Sequence, residues 1–285
     1  MNTCILCKTS NRQLFFEWLY RCNSCGLESS QLQQPEFNGT QLIGWDDSSE
    51  IFLNKLRLQN SKLIFNALHK FKSLKDSELL DIGCGAGWFL KIANGHQIKA
   101  IGIEVDIEIA TSAKHTGLEV ISGHFPESLP DGVKFDVISF NDVVEHLENP
   151  HEILSICRSL LNEKGILIIN LPNSNGFFYF ISKILAKIGY QNSIDRLWQK
   201  GYESPHLFYF NNRNLKILAE QHSFKLIHKG TLPSISLDGL WERINKGKDP
   251  NIFLNIILYA GIIILYPLIK HVFPSDIIYH FYRPI

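Results

Sequence analysis

The stretch LLDIGCGAGWFLKIA, Leu79 to Ala93, passes from apolar residues through three glycines at alternate positions into a segment with helical spacing. Such a run reads as a strand turning sharply into a helix, its backbone N–H groups open to a ligand that a Cβ would block. The spacing discriminates between ligands. A dinucleotide-binding turn wants its third small residue where Trp88 stands, whereas here the third glycine, Gly87, comes one position early. A phosphate loop wants a Lys-Ser/Thr pair after the glycines, and none follows. Both nicotinamide and nucleoside-triphosphate readings are therefore disfavoured.

Outward from this turn, short apolar runs alternate with helical stretches: ELLDIG, KAIGIEV, LEVIS, FDVISF and GILIINLP. The intervals leave room for crossover helices, which predicts an α/β domain with a parallel sheet covered on both faces. Ligands on such sheets bind beyond the carboxyl ends of the strands. Upstream, Ile51 to Phe71 places Ile64, Leu68 and Phe71 on one stripe and predicts a helix packed on this domain. The polar passage Ser29 to Thr40 reads as a linker.

The chain has 285 residues, 45% hydrophobic and 20% charged, enough for one large domain with additions. A formal charge of zero argues against a nucleic-acid partner, although residues 183–285 carry 13 Lys/Arg against 7 Asp/Glu. The polar start Asn2-Thr3-Cys4 does not read as an export signal, so a reducing cytoplasm is expected and the six cysteines read as metal ligands or thiols. Four form two pairs, Cys4-x-x-Cys7 and Cys22-x-x-Cys25, with 14 residues between. Two such knuckles complete a tetrahedral thiolate shell, which predicts a structural zinc ribbon, with Gly26 suiting the second knuckle. Leu14 to Arg21 reads as short strands too few to stand without that staple. Cys84 and Cys157 fall outside the pattern and read as buried small hydrophobes.

LLDIGCGAG with Asp81, IGIEVD, FDVISFNDVVEHLENP and GILIINLPN together resemble the class I S-adenosylmethionine-dependent methyltransferases over roughly residues 50–232. The resemblance implies a Rossmann-like, doubly wound, mostly parallel seven-stranded sheet. It also implies that Gly83, Gly85 and Gly87 lie against the methionine part of the cofactor, with Asp81 supporting the turn. Glu104 would accept hydrogen bonds from the ribose hydroxyls, Phe125 would flank the adenine, and Asn141 would join the cofactor set. Gly123-His124 departs from the family, which often has an acidic residue there.

A sulfonium methyl is already activated, so the remaining need is a base beside the acceptor. Asp142, Glu145 and His146 are spaced to share one helical face. In one reading Asp142 caps a helix while Glu145 and His146 line the cofactor cleft. In the other, D-x-x-E-H resembles the E-x-x-E-H metal site of ubiquinone-pathway and small-RNA 2′-O-methyltransferases, and the three hold Mg²⁺. His146 is the first candidate for general base. His206, in GYESPHLFYF with Tyr202 and Tyr209, is the second, on a segment expected to fold over the substrate pocket before the helix of NNRNLKILAEQHSF.

Asn251 to Ile269 contains no charge over 19 positions and as a helix would be roughly 28 Å long. The following Asp276 to Ile285 reads as a final strand of the same sheet, which argues against a crossing. An interfacial or re-entrant segment, a hydrophobic lid and a dimer contact all remain. Lys246, Lys248, Lys270 and His271 flank the segment as anionic lipids would require, and Phe177 to Phe180 extends the apolar surface. The expected organisation is a ribbon over 1–35, a linker and packing helix over 36–76, a cofactor-binding core over 77–236, an apolar helical insertion over 237–274 and a last core strand over 275–285. The expected activity is O-methylation of a small-molecule, sugar or lipid-linked acceptor, with peripheral membrane contact through 251–273 on the inner face. A non-catalytic ribbon and Rossmann scaffold is the alternative.

Overall fold

In a computed structural model, residues 3–33, 47–245 and 252–285 are described. Three short strands open the chain: β1 (Asn11–Gln13), β2 (Leu19–Cys22) and β3 (Glu28–Ser30). Then come α1 (Asp47–Leu68), β4 (Glu78–Ile82), α2 (Trp88–Gly95), β5 (Lys99–Glu104), α3 (Ile107–His115), β6 (Val120–Ser122) and β7 (Phe135–Asn141). A 3₁₀ turn (Val144–His146) leads into α4 (Pro150–Leu160), β8 (Leu161–Pro172), α5 (Phe177–Lys187), α6 (Asn192–Leu197), β9 (Phe208–Tyr209) and α7 (Asn212–Glu220). The chain closes with β10 (Phe224–Leu232), α8 (Leu240–Ile244), α9 (Ile252–His271) and β11 (Ile277–Pro284).

The main sheet has seven strands in the order β10-β11-β8-β7-β4-β5-β6. From β6 to β8 all neighbours are parallel, and β11 inserts antiparallel between β8 and β10. This is the Rossmann-like α/β sheet that the five apolar runs and the final strand predicted. Period-two alternation feeds a core on each face. Leu79, Val137 and Ile168 pack with Phe65, Phe89 and Ala110 from α1, α2 and α3. Their neighbours Leu80, Ile138 and Leu167 face the other way, against Leu154 of α4 and Leu215 and Leu218 of α7. Ile64 and Leu68 are buried as the α1 stripe required.

The ribbon joins this second core rather than standing apart. Cys4, Leu6, Cys22, Cys25 and Leu27 belong to the same apolar cluster as α4 and α7. His151 meets the carbonyl of Ile5 at 3.1 Å, and the Gln221 amide donates to the carbonyl of Leu6 at 2.8 Å. β3 pairs antiparallel with β9, so the segment after α6 completes a four-stranded ribbon sheet. Glu28, 1% exposed, anchors the joint: its carboxylate accepts from the Tyr179 hydroxyl and from Lys183 at 3.1 Å, both on α5.

One expectation for the apolar C-terminal stretch is corrected. It forms α9, but it is not a buried lid, because Ile252, Phe253, Ile257, Leu258 and Ile264 are each at least half exposed. Among the described residues no helix is long and apolar enough to cross a membrane. α9 is held by an edge contact of Tyr259 on Trp241, and beyond its end Phe273 stacks on Phe177 at 4.3 Å. Of the FFYF group, Tyr179 is buried and Phe180 is exposed. Lys246 and Lys248 lie outside the described residues.

Removing one member of a buried ion pair strands its partner's charge. Glu28→Ala should therefore cost about 3 kcal/mol in urea unfolding, whereas Tyr20→Phe, which loses only an exposed bond to Gln31, should stay within about 0.5 kcal/mol. Equal midpoints for the two variants would show that the ribbon is not anchored through Glu28.

Candidate active site

β4 delivers Asp81, 2% exposed, to the carboxyl edge of the sheet. One carboxylate oxygen accepts from the Ser139 hydroxyl at 2.7 Å and the Asn141 amide at 3.0 Å, tying β4 to β7. Burial lifts this carboxyl to about 7 despite those two bonds, and the Glu104 charge adds to the rise. The glycine turn follows with positive φ at Gly83, Gly85 and Gly87. At Gly83 a Cβ would sit 2.6 Å from Val143, and at Gly87 2.2 Å from Leu118, so these two are required by close packing as well as by backbone conformation.

The turn forms one wall of a cavity of about 710 Å³. Asp81, Gly83, Gly85, Asn141 and Asp142 line it, as does Asn170 at the end of β8. The side-chain oxygens of Asn141 and Asn170 are buried there without a partner, which is where a ligand donor fits. Gly87, Glu104 and Phe125 do not line it. Glu104 lies behind the turn, accepting from the Gly85 N–H at 2.8 Å and the Asp106 N–H at 3.1 Å. Its remaining lone pairs are its only route to a ribose. Phe125 packs edge-on against Phe140 at 6.4 Å within the second core.

Sequence reading missed Arg57 and Trp88 as cavity residues. The Arg57 guanidinium sits 4.8 Å over the Trp88 ring and opposes the rise that the concave surroundings impose on the Asp142 carboxyl. A fixed cation beside unpartnered amide oxygens suits an amino-acid zwitterion, so the donor set fits the methionine end of S-adenosylmethionine. Arg57 lies on the helix that was read only for its apolar stripe, and a single basic residue between such positions carries no sequence signal.

The candidate bases meet, but not as the i, i+3, i+4 spacing suggested. Asp142 takes φ 57 and lines the cavity, so the helical face it would have shared does not form. Instead, donor atoms of Glu145, His146 and His206 lie within 4.8 Å of one another. This corrects the Asp142/Glu145/His146 metal set by exchanging Asp142 for His206. The pairing of β3 with β9 and the bond from the Leu207 N–H to the Glu145 carbonyl, 2.8 Å, bring His206 there.

The tautomers follow from the partners. His146 Nδ1 lies 3.1 Å from the Pro205 carbonyl, a pure acceptor, so Nδ1 carries the proton and Nε2 presents a lone pair. The ring of His206 lies 4.6 Å from that of His146, and its Nδ1 is buried without a partner while Nε2 meets the Gln199 amide. Both Glu145 oxygens are likewise buried and unpartnered. Burial and the Asp142 charge push Glu145 well above the ordinary carboxylate range, and burial with the His146 charge pushes His206 well below that of imidazole. One carboxylate and two imidazoles, each short of a partner or held by its far edge, match the donor chemistry of a divalent cation. Tyr202 is exposed and lies apart, while Tyr209, stacked on Tyr179 inside the protein, adjoins the cluster with its ring 5.6 Å from that of His206.

In the ribbon, Cys4 and Cys25 sulfurs lie 3.5 Å apart and those of Cys7 and Cys22 3.3 Å apart. All four fall within 4.8 Å, close to the roughly 3.8 Å edge of a tetrahedron with zinc–sulfur bonds of about 2.3 Å.

A family model described as a methyltransferase domain matches residues 55–229. Among curated relatives, a ubiquinone biosynthesis O-methyltransferase of Glaesserella parasuis is 28% identical over 172 residues, covering 55% of this chain and 70% of that protein. One of Roseobacter denitrificans is 32% identical over 123 residues, covering 41% and 48%. Among solved structures, an S-adenosylmethionine-dependent methyltransferase of Archaeoglobus fulgidus aligns over 82% of this chain and 99% of its own, with a TM-score of 0.53 and 21% identity. The putative methyltransferase complexed with the Trm112 activator in Haloferax volcanii aligns over 83% and 93%, with a TM-score of 0.57 and 13% identity. These likenesses fix the fold.

Between the ordinary aspartate range and about pH 7, native Asp81 keeps a proton that the unfolded chain has released, so its contribution to stability falls as pH rises through that window. Denaturant unfolding at a series of pH values should show the wild type losing stability against Asp81→Asn as pH climbs from about 4 to 7. Parallel profiles would mean that Asp81 is ionised throughout.

Proposed function

This chain belongs to the methyltransferase-domain family, class I and S-adenosylmethionine-dependent, and we propose that it methylates a hydroxyl of a lipid-borne acceptor at a membrane surface. The observation that carries the chemistry is the Glu145, His146 and His206 cluster beyond the strand end that bears the cofactor cavity. When bound, S-adenosylmethionine supplies a methyl group activated by its sulfonium. Arg57 and the amide oxygens of Asn141 and Asn170 orient its methionine end, and the glycine turn gives it backbone access. His146 Nε2 takes the acceptor's hydroxyl proton, with its ring held by Pro205 and Ser204. A divalent cation held by Glu145, His146 and His206 would occupy that same Nε2 lone pair and, in place of the imidazole base, lower the pKa of the hydroxyl. Cys4, Cys7, Cys22 and Cys25 would hold a zinc ion that staples the ribbon, and the pairing of β3 with β9 carries that order to His206.

The lipid-borne acceptor is supported by α9. Its exposed apolar residues from Ile252 to Leu268 cover roughly two thirds of the helix circumference, more than one protein groove would cover, while Lys270 and His271 end it with basic groups. The name of the curated relatives, ubiquinone biosynthesis O-methyltransferase, points to the same acceptor class. The domain limits proposed are those expected from the sequence, with the ribbon ending at residue 35 and the core at 236.

The test is transfer of labelled methyl from S-adenosylmethionine to a polyprenylated catechol in phosphatidylcholine vesicles and to the same catechol without its chain. The wild type should prefer the prenylated acceptor, His146→Ala should lose a factor of about 100 or more in rate, and Ile257→Glu with Ile264→Glu should abolish the preference without changing S-adenosylhomocysteine affinity. Equal rates on both acceptors would overturn the lipid-borne reading. An unaltered rate in His146→Ala would overturn the assignment of the base.

A further inference from the structure

A second cavity, of about 530 Å³, opens to solvent at the seam between ribbon and core and shares no lining residue with the cofactor cavity. Three arginines line it: Arg12 on β1, Arg21 on β2 and Arg213 in the first turn of α7. The amides of Asn175 and Asn211 and the Ser24 hydroxyl complete a polar wall, and no acidic residue lines it.

The arrangement gathers positive charge at an open, solvated surface, with Arg12 and Arg213 exposed. Arg12 and Arg21 are direct cross-strand partners, and like charges so placed destabilise a ladder. The carboxylate near Arg21 is that of Glu28, 3.5 Å away, and it is already shared with Lys183 and Tyr179. Among the described residues, neither Arg12 nor Arg213 has a carboxylate oxygen within 4.0 Å. Gly26 keeps the floor open, since a Cβ there would come 3.4 Å from the Arg21 guanidinium.

We propose that this cavity binds the phosphate or diphosphate group of a ligand. Guanidinium forks match phosphate oxygens, and three of them from separate elements suit a multiply charged tetrahedral anion better than a single carboxylate, which one fork satisfies. Cys22 and Cys25 also line the cavity. Four zinc-bound thiolates would carry a net double negative charge and compete for the same arginines, so zinc content is read alongside binding.

The experiment is calorimetric titration of the full zinc-loaded chain with inorganic pyrophosphate, comparing the wild type with Arg12→Ala, Arg213→Ala and, as a surface control, Lys164→Ala. The wild type and the control should bind alike, and each arginine variant should lose at least about tenfold in affinity with zinc retained. Phosphatidylcholine vesicles with and without phosphatidic acid then identify the source. Competition by the anionic vesicles alone assigns the site to a lipid-borne phosphate, and the lack of it assigns a soluble one. Absence of pyrophosphate binding by the wild type, unchanged affinity in both arginine variants, or zinc loss accompanying the weaker binding would overturn the proposal.

Discussion

Two buried carboxylates at neighbouring strand ends hold the geometry of the cofactor cavity. Asp81 joins β4 to β7 through Ser139 and Asn141, and Glu104 reaches back from β5 to take the Gly85 N–H. Between them they fix where the chain leaves the sheet and how far the turn stands from it. Glycine is needed because the backbone takes positive φ while Val143 and Leu118 press against it. A carboxylate buried this deeply is unfavourable unless neighbouring donors or a bound proton offset it, and Asp81 draws on both.

The ribbon gives the second constraint. Its third strand pairs with β9, and the residue before that pairing is one remove from His206, whose carbonyl accepts from the Ser30 hydroxyl at 2.7 Å. Glu28, Tyr179, Lys183 and Trp198 form a buried polar network that joins β3 to α5 and α6. The cysteine cluster and the base cluster are thus two ends of one rigid piece. A segment with too little core of its own gains its packing from the main domain and in return positions His206 beside Glu145 and His146.

The five parallel strands and the glycine turn were legible because both faces of the sheet are buried and the apolar runs are nearly continuous. β9 was not, since two residues inside an aromatic run carry no period, and its strand character comes only from pairing with β3. The helical face drawn through Asp142, Glu145 and His146 failed for a local reason: Asp142 takes a left-handed conformation, and the chain then makes a 3₁₀ turn. The grouping with His206 was not legible, because it depends on a residue sixty positions further on that only the fold brings beside Glu145 and His146. Arg57 and the arginines at the ribbon seam were invisible for the same reason: each is a lone basic residue whose meaning lies in what a distant element brings beside it.

The base cluster and the arginine seam pose the same electrostatic problem with opposite sign. At Glu145 a carboxylate is enclosed with both oxygens unpartnered, and only a proton or a cation makes that burial tolerable. At the seam, Arg12 and Arg21 face each other across a strand pair, and Glu28, the carboxylate beside Arg21 among the described residues, is shared with Lys183. Side-chain packing alone relieves neither, since each cluster is imposed by backbone pairing, β3 with β9 in the first and β1 with β2 in the second. Where backbone pairing holds like or unpaired charges together, solvent, a proton or a counter-ion must offset their repulsion, and the two clusters differ in how much of that solvent can supply: Glu145 is buried, whereas Arg12 and Arg213 are exposed.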